Sequence, residues 1–299
     1  MRLDDIDPSG DIQDQGAGGG GFSVGGGGGM GSLIFGLLPL LLGRKMGCGT
    51  IAILGIAAFF LLGPGLSLFS GSTSAPGEQT PGAGNAACDT AAEAYACRVF
   101  TSAETTWAQL FSAGGQRYQP AKLRFYQGGG QSGCGAAQSA MGPFYCPADG
   151  GVYLDTSFFQ QIDQMTGGRD NDFAYAYVVA HEIGHHIQNI TGVADKVRTM
   201  QNRVSQEDGN ALQIRMELQA DCYAGIWANK NAVRMDAGDV EEGMRAAHAI
   251  GDDKLMRDAG RAPVESMFTH GTSEQRMAAL KQGLRSGNPN SCNYFSGIF

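Results

Sequence analysis

The sequence predicts an α+β domain behind one transmembrane helix: a small mixed sheet, a buried helix and a helical C-terminal part. Three observations predict it. An apolar run over residues 47–69 is long enough to cross a bilayer, which takes about 20 residues as a helix. A Gly-, Pro-, Ser- and Thr-rich stretch over 70–87 follows and reads as a flexible tether. From residue 88 the composition turns globular, with short strand patterns first and helical spacing afterwards.

Composition bounds the partners. The net charge of -8 and the pI near 5.1 argue against nucleic acid, because neutralising phosphates needs a basic face. Glycine supplies 47 of the 299 residues and crowds the region before the globular part.

Residues 1–32 are acidic and then glycine-rich, so disorder is expected there. Residues 33–69 form the membrane-associated segment. The apolar stretch Ser32 to Leu42 at its start is too short to span, and is a candidate for the interface. Arg44 and Lys45 precede the 47–69 run. The positive-inside rule then places the N-terminus in the cytoplasm and residues 88–299 outside, as a single-pass protein of the cytoplasmic membrane with a periplasmic domain. An uncleaved anchor is favoured over a signal peptide, because the run starts late and has no clear small-residue cleavage site.

Within the domain, Ala91 to Ala113 is expected to be a helix, with Phe100, Trp107, Leu110 and Phe111 at near-helical spacing. Leu123 to Tyr126 and Gly151 to Asp155 read as strands, with short strands and turns around Gly133 to Gly135 and Phe144 to Pro147. Thr156 to Met165 reads as a helix. Asp170 or Asn171 can cap the helix that follows, and Gly192 can end it.

That helix carries His181-Glu182-Ile183-Gly184-His185 inside an apolar run. His181 and His185 stand one turn apart on one face, where both rings can reach one metal ion. Glu182 is rotated by about 100° from His181, outside the ligand set but close to a metal-bound water. Such a pattern also occurs by chance on solvated helices; here the apolar flanks imply burial, and buried histidines need partners. Zinc hydrolysis needs a third protein ligand and an open position. Metzincins would have Gly and His where this chain has Gln188 and Thr191. Downstream, Glu217 and Asp221 share a helix face four residues apart. Glu217 is the candidate third ligand for Zn²⁺, and Asp221 the acceptor for a ligand histidine's free ring N–H. The rival is a pair of carboxylates on a solvated face. The apolar neighbours Leu218, Ala220, Tyr223 and Trp227 weigh against it.

The pattern His181-Glu182-x-x-His185 with Glu217-x-x-x-Asp221 resembles the gluzincin metallopeptidases. The blocks Gly133-Cys134-Gly135, Met141 to Gly150, Arg215 to Cys222, Ile250 to Asp253 and Phe268 to Ser273 resemble the bacterial neutral zinc metallopeptidase family (YpfJ-like). The resemblance covers roughly residues 88–296. It implies a zincin-like fold on a single-pass anchor and supplies a reaction class without a substrate. Thr269 to Arg276 is also similar to the Thr-His-Pro…Arg segment of HtpX-like membrane gluzincins, with Gly271 in place of the proline. This makes His270 a candidate to donate to the oxyanion or to occupy the open metal position, against the plain alternative of a loop histidine. His186 and His248 are expected to be structural.

Six of the seven cysteines follow the apolar run, which suggests disulfides in an oxidising compartment. Cys88 with Cys97 and Cys134 with Cys146 are close in sequence, which leaves Cys222 with Cys292. The expected function is peptide-bond hydrolysis by a zinc-bound water that Glu182 activates, on a peptide or protein substrate laid along the Gly151 to Asp155 strand as an edge. Two rivals stand beside it. One is a catalytically inactive, zinc-stabilised extracytoplasmic binding module, which would not need Glu182. The other is hydrolysis of a non-peptide amide. No oligomeric state is readable.

Overall fold

The structure, a computed structural model, describes residues 1–17, 87–168 and 171–299. They form a mixed α+β fold with one six-stranded sheet and, among the described residues, eight α-helices. The strands are β1 (Asp11–Ala17), β2 (Lys122–Gln127), β3 (Gly129–Ser132), β4 (Gly135–Gln138), β5 (Phe144–Cys146) and β6 (Gly151–Leu154). The helices are α1 (Ala91–Ala113), α2 (Ser157–Thr166), α3 (Asp172–Ile190), α4 (Val193–Gln201), α5 (Gln206–Lys230), α6 (Asp239–Ala249), α7 (Asp252–Asp258) and α8 (Ser273–Ser286).

Strand β2 pairs in parallel with both β1 and β6, and β5 runs antiparallel to β6. Leu123 and Phe125 of β2 and all four residues of β6 are buried. This corrects the expectation that Gly151 to Asp155 forms an edge. β6 lies inside the sheet between β2 and β5, and β5 ends the sheet on that side. An apolar run buried on both faces is the pattern of an interior strand.

A second correction concerns the N-terminus. Residues 1–17 were expected to be disordered, yet β1 joins the sheet, with Asp11 opposite Lys122 and Gln13 opposite Arg124. Met1 and Leu3 are buried in the main core. Ion pairs join Arg98 to Asp4 at 3.1 Å and Arg124 to Asp11 at 3.0 Å, and the Ser9 backbone N–H donates to Thr101. The physical reason is that two buried apolar side chains and a ladder of backbone hydrogen bonds to a distant strand suffice, without a hydrophobic run. The expected membrane segments over 33–69, the tether over 70–86 and the Gly-rich 18–32 lie outside the described residues. No helix among the described residues is long and apolar enough to cross a membrane.

Helix α1 has the predicted bounds. Thr90 and Glu93 form a capping box at its start, and Trp107 meets Tyr223 of α5 edge-on, ring centroids 5.0 Å apart. α3 begins after Asn171, whose side chain turns back to Asp163 and Thr166 instead of capping. α5 and α8 pack backbone to backbone, because a Cβ on Gly225 would strike the Leu280 carbonyl and one on Gly283 the Cys222 carbonyl. The Cys88–Cys97, Cys134–Cys146 and Cys222–Cys292 disulfides are all present. The last ties the C-terminal segment to α5 beside Asp221.

Candidate metal centre

Two helices position the site. α3 presents His181 and His185 on one face, their ring centroids 4.7 Å apart. α5 crosses it and presents Glu217 and Asp221. The helices approach closely because position 184 is glycine. A Cβ there would lie 2.9 Å from the Ala220 Cα and 3.0 Å from its carbonyl oxygen, closer than backbone atoms allow. Gly184→Ala is therefore expected to push the helices apart, destabilise the fold by about 1–3 kcal/mol and weaken metal retention. Thermal unfolding with and without metal checks this.

The ligand atoms of His181, His185 and Glu217 all lie within 4.8 Å of one another. His181 Nε2 is 3.3 Å from Glu217 Oε2, and His185 Nε2 is 3.6 Å from Glu217 Oε1. Donors held tetrahedrally at about 2.0–2.2 Å from a zinc ion stand about 3.3–3.6 Å apart, so the spacing suits that ion. The other ring nitrogens are already engaged. His181 Nδ1 donates to Asp221 Oδ1 at 2.8 Å, and His185 Nδ1 to Gln188 Oε1 at 2.9 Å. Both rings are thereby fixed in the tautomer that leaves Nε2 free for a metal. Gln213 Nε2 donates to Glu217 Oε1 at 2.9 Å and orients that carboxylate.

Asp221 is wholly buried and anchors the arrangement. Arg276 of α8 grips it with two hydrogen bonds of 2.9 Å, Nε to Oδ2 and Nη2 to Oδ1, and Tyr177 donates to Oδ1 at 2.6 Å. Burial alone would raise the Asp221 pKa, but Arg276 and His181 hold it well below the usual carboxylate range. Burial would likewise lower the His181 pKa, but without a metal the Asp221 carboxylate lifts it to about 10, so metal binding displaces the Nε2 proton. Arg276 and Tyr177 were given no role in the sequence reading. Tyr177 stands one turn before His181 on the same face, a spacing that could have marked it. Arg276 belongs to the segment compared with membrane gluzincins, but a single sequence does not pair it with Asp221.

Glu182 is buried beside the ligands without belonging to their group. Burial raises its pKa, offset in part by the neighbouring histidines. His270 is buried on the loop before α8. Asp252 Oδ2 accepts the backbone N–H groups of Thr269, His270 and Gly271, and its Oδ1 faces His270 Nδ1 at 3.0 Å. The loop is thus wrapped around one carboxylate, another role absent from the sequence reading. His270 is near enough for its charge to act on Glu217, but it is outside the three-ligand group. His186 is structural, bonded to Tyr145 and the Gln119 carbonyl. His248 lies exposed in the last turn of α6.

The family described as "Putative neutral zinc metallopeptidase" matches residues 1–295. The Escherichia coli (strain K12) protein YpfJ is 48% identical over 199 residues, which cover 66% of this chain and 69% of that protein. The Mycobacterium tuberculosis (strain H37Rv) protein Rv2575 is 36% identical over 235 residues, 72% of this chain and 77% of that protein. Both relatives are named only as uncharacterized proteins. No solved structure matches.

Proposed function

Since this chain belongs to that zinc metallopeptidase family, we propose that it hydrolyses peptide bonds at a zinc ion held by His181, His185 and Glu217. The observation that carries the reading is the convergence of these three side chains beside a buried carboxylate that is not a ligand. A structural zinc site has no use for that carboxylate. The sheet lying against α3, with α5 packed on α3 to bring Glu217 to the histidines, supports a zincin-like fold.

When bound, the metal supplies Lewis acidity to a water and to the scissile carbonyl. Glu182 accepts the water's proton as that oxygen attacks the carbonyl carbon, and then delivers it to the leaving nitrogen as the C–N bond breaks. Asp221 and Gln188 keep both histidine rings turned with Nε2 toward the metal. The Asp252 clamp holds His270 for donation to the carbonyl oxygen, which gains charge in the transition state. His270→Ala is expected to lower kcat by about 10²–10³ with metal content unchanged. Steady-state kinetics alongside metal analysis checks it.

The edge available to an extended substrate is β5 rather than β6. β5 ends the sheet, and its Tyr145 hydroxyl meets His186 and Asn189 of the metal-bearing helix. A peptide adding to β5 would run beside the site. Three disulfides support an oxidising, extracytoplasmic compartment for the domain, and the apolar run supports membrane attachment. The test is digestion of a diverse peptide library by the purified full chain, read by mass spectrometry. The reading predicts defined cleavages that vanish with a zinc chelator. An intact library, or chelator-resistant cleavage, would contradict it.

A further inference from the structure

The chain contains an apolar run between two parts that the fold joins in one sheet. β1 lies before that run and β2 after it, yet the two pair in parallel from Asp11 opposite Lys122 to Ala17 opposite Gln127. The junction extends beyond the ladder. Met1 and Leu3 sit in the same core as Phe100, Phe173 and Trp227. Arg98, Arg124 and Arg234 each pair with an acidic residue of the first seventeen, namely Asp4, Asp11 and Asp5. The Gln15 side chain both donates to the Gln131 carbonyl at 2.8 Å and accepts the Gln131 backbone N–H at 2.9 Å. Removing residues 1–17 would uncover one edge of β2 and part of the core, so this segment is a component of the domain.

Such pairing cannot form across a bilayer. We infer that residues 1–17 and residues 87–299 lie on the same side of any membrane this chain enters. The single-pass topology expected from the sequence, with the N-terminus inside and the domain outside, is incompatible with this sheet. The inference rests on the strand pairing and does not depend on the peptidase reading.

The test is cysteine labelling of the full chain in cells, in a Cys48→Ser background. Asp7→Cys and Gln13→Cys report on the N-terminal segment, and Glu207→Cys on the domain. All three positions are exposed. A membrane-impermeant maleimide is applied to intact and to permeabilised cells. The expected result is equal labelling of all three in intact cells, with no gain on permeabilisation. Labelling of all three only after permeabilisation would still support a common side, while overturning the extracytoplasmic placement of the domain. Labelling of Glu207→Cys in intact cells, with Asp7→Cys and Gln13→Cys reached only after permeabilisation, would overturn the inference.

Discussion

Glu182→Gln is expected to lower peptide hydrolysis by about 10²–10⁴ while leaving the metal in place. The replacement keeps the size and burial of the side chain, so the packing of α3 is unchanged. It removes only the capacity to take up a proton. Because Glu182 lies outside the ligand group of His181, His185 and Glu217, zinc content should match the wild type. Metal analysis and single-turnover kinetics on one sample separate the two effects. A variant that loses zinc would make Glu182 a ligand, and one that stays fully active would remove it as the base. The pH profile adds a sign. The base works ionised, so kcat/KM falls as pH drops through its pKa. Burial raises that pKa, the charge of a bound zinc ion opposes it, and the profile falls on its acid side.

Arg276→Met carries the largest expected effect on stability. Arg276 and Asp221 are both buried, and their two hydrogen bonds of 2.9 Å satisfy charges that no solvent reaches. Removing the arginine strands the Asp221 carboxylate, at a cost of about 3–5 kcal/mol. Denaturant unfolding measures it. The sign with pH follows from linkage. In the wild type the depressed Asp221 pKa contributes stability above the unfolded carboxylate pKa, which is lost as pH falls through the folded value. Without Arg276, His181 alone opposes the effect of burial, so the Asp221 pKa rises from its wild-type value, and protonation relieves the stranded charge. The gap between wild type and variant should therefore narrow as pH falls through the variant's Asp221 pKa. An Asp221→Leu, Arg276→Met double variant should recover much of the stability, since a buried pair is replaceable by apolar side chains. It should still bind zinc about 10–100-fold more weakly, because His181 loses the acceptor that fixes its tautomer. Equal stability of Arg276→Met and wild type would refute the anchoring role of this pair.

The site was legible where its geometry is local. His181 and His185 are separated by one helical turn, and so are Glu217 and Asp221. Each pair can be placed on one face without knowing the fold. Helix α1 was legible because Phe100, Trp107, Leu110 and Phe111 supply the period; the Thr90 and Glu93 capping box that starts it came only with the structure. The partners that fix the ligands were hidden because they arrive from a distance. Arg276 meets Asp221 across 55 positions, and Asp252 meets His270 across 18. β1 was missed for a different reason. Its sequence, Asp-Ile-Gln-Asp-Gln-Gly-Ala, is polar, and its pairing depends on backbone groups that every residue shares. The edge role was misassigned to β6 although its four consecutive buried residues carried the interior signal.

Zinc titration of the metal-stripped full chain, with hydrolysis of an unfolded polypeptide followed at each step, tests the central claim most directly. Three convergent ligands make one site. Activity should rise linearly and break at about one equivalent, and His185→Ala should neither bind zinc tightly nor recover activity. Hydrolysis by the stripped chain, or full recovery in His185→Ala, would contradict the account.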